Sequence, residues 1–113
     1  MKYKDLYYLF QTADEIWADN SAEIGTDETT WIEIELSDFE IGQAVYIELD
    51  NTNITALSIY RDDEDTPMMQ LTEEIPTSIE LKVKFTSKFK VTATASAATT
   101  NVIKVKYRKA ELR

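Results

Sequence analysis

Carboxylates are the first residues to weigh for chemistry, because the chain carries 21 Asp and Glu but no His and no Cys. Without imidazole there is no histidine triad, no His metal site and no imidazole pH switch. Without thiols there is no disulfide framework, zinc ribbon or cysteine nucleophile. Glu33 and Glu35 sit two apart in an alternating run, so a strand would hold both carboxylates on one face about 7 Å apart. That spacing falls in the inverting-glycosidase range of roughly 6.5–9.5 Å. A chain of 113 residues, however, offers little room for a sugar cleft, and solvated strand glutamates are the expected reading. Asp62-Asp63-Glu64-Asp65 could collect a hard cation, but it lacks the Asp-x-Asp-x-Asp-Gly order and the glycine a calcium loop turns on. The two glycines, Gly25 and Gly42, make no phosphate-binding loop. Ser and Thr are plentiful, yet without His, and with no Lys read at a Ser-x-x-Lys spacing, no activated nucleophile is expected. The expectation is a protein without enzymatic activity, cofactor or metal.

The elements that would position these residues read as strands. A chain with 43% apolar and 11% aromatic residues can build a core, and its length suits one domain. From Trp31 onward the apolar residues alternate with polar ones, the period of a strand with one buried face. Ile32, Ile34 and Leu36 oppose Glu33 and Glu35. Val45, Ile47 and Leu49 oppose Tyr46 and Glu48. Ile79 to Phe85, Phe89 to Ala95 and Val102 to Tyr107 repeat the scheme. Asn53 to Tyr60 is apolar on both sides and reads as a central strand. Turn clusters fall at Gly25–Glu28, Ser37–Gly42, Asp50-Asn51, Asp62–Pro67 and Thr99–Asn101. Six or seven strands at this spacing predict an all-β fold: an antiparallel β-sandwich, jelly-roll-like, with no βαβ alternation.

The N-terminal stretch is read apart, as an arm or edge segment over residues 1–24 ahead of a sandwich over 25–113. Tyr3, Leu6, Tyr7 and Phe10 fit helical spacing, while Leu6, Tyr8 and Phe10 fit a strand; aromatic content favours the strand or arm. Asp14 to Ala18 could form a helical turn. Either the arm closes the domain's own core or it docks on a neighbouring subunit. Leu6 to Phe10 is too short for a signal-peptide core and runs into Asp14 and Glu15. Nothing approaches the ~20 apolar residues of a membrane-spanning helix. Asn53-Ile54-Thr55 fits a glycosylation sequon but, without an entry signal, reads as a chance match.

Charge divides along the chain. Residues 1–78 hold 3 basic and 19 acidic residues, residues 79–113 hold 9 basic and 2 acidic, and the formal net charge is −9. The excess acid argues against nucleic acid and anionic lipid as partners. Acidic strands could pair with lysine-faced strands inside one sheet. Alternatively, negative and positive faces could meet between molecules. Lys104, Lys106, Arg108 and Lys109 are the candidate electrostatic contact, and Tyr3, Tyr7, Tyr8 and Phe10 the candidate docking residues. Trp31, Tyr46 and Tyr60 would form an aromatic platform for a sugar or a protein if their strands were neighbours; otherwise Trp31 caps the sandwich end.

An acidic sandwich without Cys or His, with aromatic Met1–Phe10, alternating Trp31–Leu36 and basic Val102–Arg113, resembles small virion proteins of tailed bacteriophages. Capsid decoration and auxiliary proteins and head-fibre bases are of this kind. The resemblance lies in overall character rather than in a motif. It implies a non-enzymatic structural subunit in the virion, made in the host cytoplasm. Such a subunit would be a homo-oligomer bound to a major capsid protein or similar, with no nucleic acid or membrane partner. The alternatives are a carbohydrate-binding sandwich module and a tail or baseplate adaptor.

Overall fold

The computed structural model describes residues 13–111. Eight strands follow one another: β1 (Glu15–Ile24), β2 (Thr29–Glu35), β3 (Glu40–Leu49), β4 (Ile54–Arg61), β5 (Met69–Leu71), β6 (Ser78–Phe85), β7 (Lys88–Ala95) and β8 (Thr99–Glu111). The apolar residues of each strand recur every second position, so a single sheet would leave one greasy face in water. Two sheets facing each other remove both from solvent. One sheet has the order β1-β8-β3-β6 and the other β2-β7-β4-β5, all antiparallel. The pairs β1·β8, β2·β7, β3·β6 and β4·β5 are those of one long hairpin rolled on itself. This is jelly-roll topology, and the all-β sandwich read from the alternation is the fold observed.

Between the sheets lie Ile24, Trp31, Ile47, Leu57, Ile59, Phe85, Phe89, Val91, Ile103 and Val105, all essentially buried. The rings of Phe85 and Phe89 pack at 5.7 Å between centroids, an arrangement that contributes about 0.5–1.5 kcal/mol beyond its buried area. Gly42 is buried beside them, and a Cβ there would lie 2.5 Å from Phe85 Cζ. Asn101, fully buried, donates through Nδ2 to the carbonyls of Asp50 and Thr52 and ties β8 to the β3–β4 turn.

The structure departs from the sequence expectations at several points. Asp14 to Ala18 forms no helical turn: Glu15–Ile24 pairs with β8 along its length, which satisfies its backbone as an edge strand of the sandwich. Gly42 and Thr99–Asn101 lie inside β3 and β8 rather than in turns. Val45 does not point inward with Ile47 and Leu49. The β3·β8 register shifts between Ala44 and Tyr46, so Ala44 takes the core position and Val45 lines the outer surface. The strand count rises to eight because β1 is a strand and three-residue β5 is too short to show a period.

Candidate functional site

Each outward residue has defined neighbours once the register is known. On the β1-β8-β3-β6 sheet three transverse rows form: Glu15, Arg108, Gln43, Lys84; then Trp17, Lys106, Tyr46, Glu80; then Asp19, Lys104, Glu48, Ser78. Basic residues of β8 therefore run down the middle, with acids on β1 and β3 beside them. Opposite charges facing each other across strands stabilise a sheet by about 0.2–1 kcal/mol per pair.

The middle row carries the most distinctive chemistry. Trp17 is 47% exposed, although indole surface is costly to leave in water. Its ring meets that of Tyr46 edge-on, 6.2 Å between centroids and 88° between planes. Lys106 Nζ stands 5.0 Å from the Trp17 centroid and 5.7 Å from that of Tyr46, a cation–π arrangement on both rings. Glu15 reaches Arg108 Nη2 at 2.8 Å and Lys106 Nζ at 3.3 Å. Hydrogen bonds from Arg108 and then Lys106 hold its carboxyl below the ordinary glutamate range. Glu15 thus stays an anionic acceptor near neutral pH and is no proton donor. Two shallow depressions share Tyr46. One, of about 630 Å³, is lined by residues including Glu15, Glu80, Lys82 and Arg108; the other, of about 490 Å³, by residues including Glu48, Asp50, Val102 and Lys104.

The predicted aromatic platform does not assemble. Trp31 is completely buried, and its Nε1 donates to the Asn101 carbonyl at 3.1 Å. The β2·β7 register shifts between Thr30 and Ile32, so Trp31 is the extra residue of a bulge and both it and Ile32 are buried. Tyr46 faces outward on one sheet. Tyr60 belongs to the other, where its hydroxyl donates to Glu28 Oε2 at 3.0 Å and Lys90 Nζ lies 4.8 Å from its ring. That bond to Glu28 raises the Tyr60 phenol above its ordinary value. The exposed aromatic that the sequence reading passed over is Trp17; its alternation with Ile16 and Ala18 was the available signal.

Of the candidate cations, Lys106 and Arg108 pair with Glu15, and Lys109 pairs with Glu40 at 3.3 Å. Lys104 is exposed between Asp19 and Glu48 in register. Tyr3, Tyr7, Tyr8 and Phe10 lie outside the described residues. Glu33 is held by Lys88 at 3.4 Å, as an ordinary cross-strand partner. Asp62 is engaged in holding the β6–β7 turn, its Oδ1 accepting the N–H groups of Thr86, Ser87 and Lys88. Burial opposes the charge on Asp62, but those bonds outweigh it and keep its carboxyl below the usual aspartate value. Ser87 and Lys90 have a Ser-x-x-Lys spacing that the sequence reading overlooked. The Ser87 hydroxyl donates to Asp62 and Lys90 sits over Tyr60, so the two are not paired for catalysis. Among the described residues no group of three or more His, Cys, Asp or Glu is placed to hold a metal ion. No helix among them is long and apolar enough to cross a membrane.

The arrangement can bind through an aromatic edge flanked by fixed charges; its carboxylate and cations are already committed to one another. Comparison with protein-family models, with curated proteins and with solved structures gave no match to this chain.

Proposed function

We propose that the chain is a non-enzymatic virion structural protein, a capsid auxiliary or decoration subunit that attaches to an assembled shell through protein–protein contacts. The observation that carries the reading is the half-exposed Trp17, pinned by Tyr46 and Lys106 in the middle row of a four-stranded sheet face. Aromatic side chains of this kind are enriched at the buried centres of protein interfaces, and a ring already held by its neighbours lowers the ordering cost of docking. Jelly rolls recur in viral capsid domains, which supports the reading by fold analogy. Many copies, each with a modest contact, would hold a shell by multivalent attachment.

The test is gradient sedimentation of virus-like particles from cells that make the chain, with an antibody against it. The chain should travel with the particle band, and Trp17→Ala should release it to the top of the gradient while remaining folded. A chain found only in the unassembled fractions overturns the proposal. Particle fractionation into heads and tails separates a decoration subunit from a tail or baseplate adaptor. The second reading, a carbohydrate-binding module, draws on the exposed Trp17 beside a depression. The perpendicular Tyr46 ring argues against it, because two coplanar faces are what an extended sugar stacks on. Binding to a glycan array that Trp17→Ala abolishes would favour the module.

A further inference from the structure

The two long sides of the sandwich are closed differently. On the β1/β2 side, Asn20 Nδ2 donates across the seam to the Trp31 carbonyl at 2.8 Å, and Ala18 and Ala22 pack against the core. On the β5/β6 side the core is only partly covered. β5 spans three residues, Met69, Leu71 and Ile79 remain half-buried, and Met68 is 41% exposed. Among the described residues β6 pairs with β3 alone, so its outer edge presents backbone donors and acceptors to no described strand.

We infer that a second copy of this chain adds to that edge, β6 against β6 about a two-fold axis, joining the two four-stranded sheets into one. The side chains of β6 are self-complementary, and one register achieves this without a like-charge contact. Glu80, Lys82 and Lys84 face outward, while Ile79, Leu81, Val83 and Phe85 face the core. With Leu81 on the axis, Glu80 faces the partner subunit's Lys82, and the same pair recurs on the other side of the axis. Ile79 then meets the partner's Val83, extending the apolar fringe of β5 and β6 into a covered one. Sliding one repeat one way sets Glu80 against its own copy; sliding the other way keeps two pairs, Glu80 with the partner's Lys84, but sets Lys82 against its own copy between them, and like charges directly opposite are destabilising.

The other edges do not offer this. Every outward charge of β1 (Glu15, Asp19, Glu23) is acidic, β2 is bulged at Trp31, and β5 is too short. Edge lysines normally block strand addition; here Glu80, two residues away, converts that block into a choice of register. Closed two-fold pairing is also the commonest form of homo-oligomer. The inference deepens the proposed attachment by naming the unit that attaches. Because Glu80 and Lys82 line the larger depression, the depressions of two copies would meet at the axis.

Sedimentation velocity of the full chain, from low micromolar to hundreds of micromolar, tests the inference without any particle. A concentration-dependent dimer is expected. Glu80→Lys and Lys82→Glu, each of which sets like charges opposite one another twice, should weaken it by about tenfold or more. The double variant Glu80→Lys/Lys82→Glu should restore it. Circular dichroism reports whether each variant keeps its strands. A wild-type monomer at every concentration overturns the inference, as does a dimer indifferent to the single changes or not restored by the double. Failure here would leave shell attachment through Trp17 standing, and loss of attachment by a dimeric chain would refute only the proposed function.

Discussion

Gly42→Ala adds one methyl group at the tightest point of the core, and the sign of its effect tests the packing described above. In most strands, replacing glycine by alanine raises stability by about 0.4–1 kcal/mol, because the unfolded chain loses freedom. At Gly42 the new Cβ would stand 2.5, 2.8 and 2.9 Å from Phe85 Cζ, Cε1 and Cε2. These atoms belong to a ring that is 1% exposed and packed on Phe89, so it cannot swing into solvent. Overpacking a dense core costs about 1–3 kcal/mol, which outweighs the backbone gain. We expect urea unfolding of Gly42→Ala to show a net loss of about 1–2 kcal/mol with an unchanged m-value. That loss corresponds to a fall of about 4 °C in Tm per kcal/mol for a domain of this size. Phe85→Leu in the same chain removes the clashing ring edge. The double variant should therefore be more stable than the two separate losses predict, by about 0.5–3 kcal/mol of coupling. A Gly42→Ala protein as stable as the parent, or strictly additive with Phe85→Leu, would refute the argument.

Other perturbations follow from individual contacts. Asp62→Ala removes the acceptor of the β6–β7 turn amides and should cost about 1–2 kcal/mol at neutral pH. Because those hydrogen bonds hold the folded carboxyl below the ordinary aspartate value of 3.8, this stabilisation is complete above that value and lost as pH falls through the lower folded value. The gap between parent and variant in pH-dependent urea melts should narrow below about pH 4; a constant gap would count against the assignment. The two tryptophans should separate by fluorescence. In Trp17→Phe the remaining Trp31 should emit to the blue and resist acrylamide, whereas in Trp31→Phe the remaining Trp17 should emit to the red and quench readily; the reverse pattern would mean the faces are misassigned. Phe39 is 78% exposed and holds φ at 67°, a left-handed conformation that asparagine tolerates better. Phe39→Asn should raise the urea midpoint, by about 0.5–1 kcal/mol of stability.

The strands were legible wherever the outward positions were charged. Glu33 and Glu35, and the lysines of β6, β7 and β8, mark the solvent side so plainly that the inward residues follow. Legibility failed where one residue was inserted. At Trp31 and at Val45 a bulge carries a neighbouring pair of residues to the same side, and a period of two cannot announce its own interruption. Gly42 looked like a turn residue because a glycine inside a strand is explained only by the ring lying over it. The first strand looked ambiguous because its Trp and acids gain meaning only opposite β8. The candidate site was hidden for the same reason. Trp17, Tyr46 and Lys106 come from three strands distant in sequence, and their meeting depends on strand order, which alternation does not encode. Charge segregation, by contrast, anticipated the cross-strand partners of Lys88, Lys106 and Lys109.

The pairing of β1 with β8 has a bearing on how the molecule is made. Glu15 and Arg108 touch although 93 positions separate them. Trp17 can meet its register partner Lys106 only after β8 has been made, long after β1 itself. Closure of the roll is thus a late event, slow in the way of topologies rich in distant pairings. A stalled or clipped product would lose both of these strands together and bare the middle of the sheet. Fluorophores attached near residues 14 and 110 would report that closing step directly.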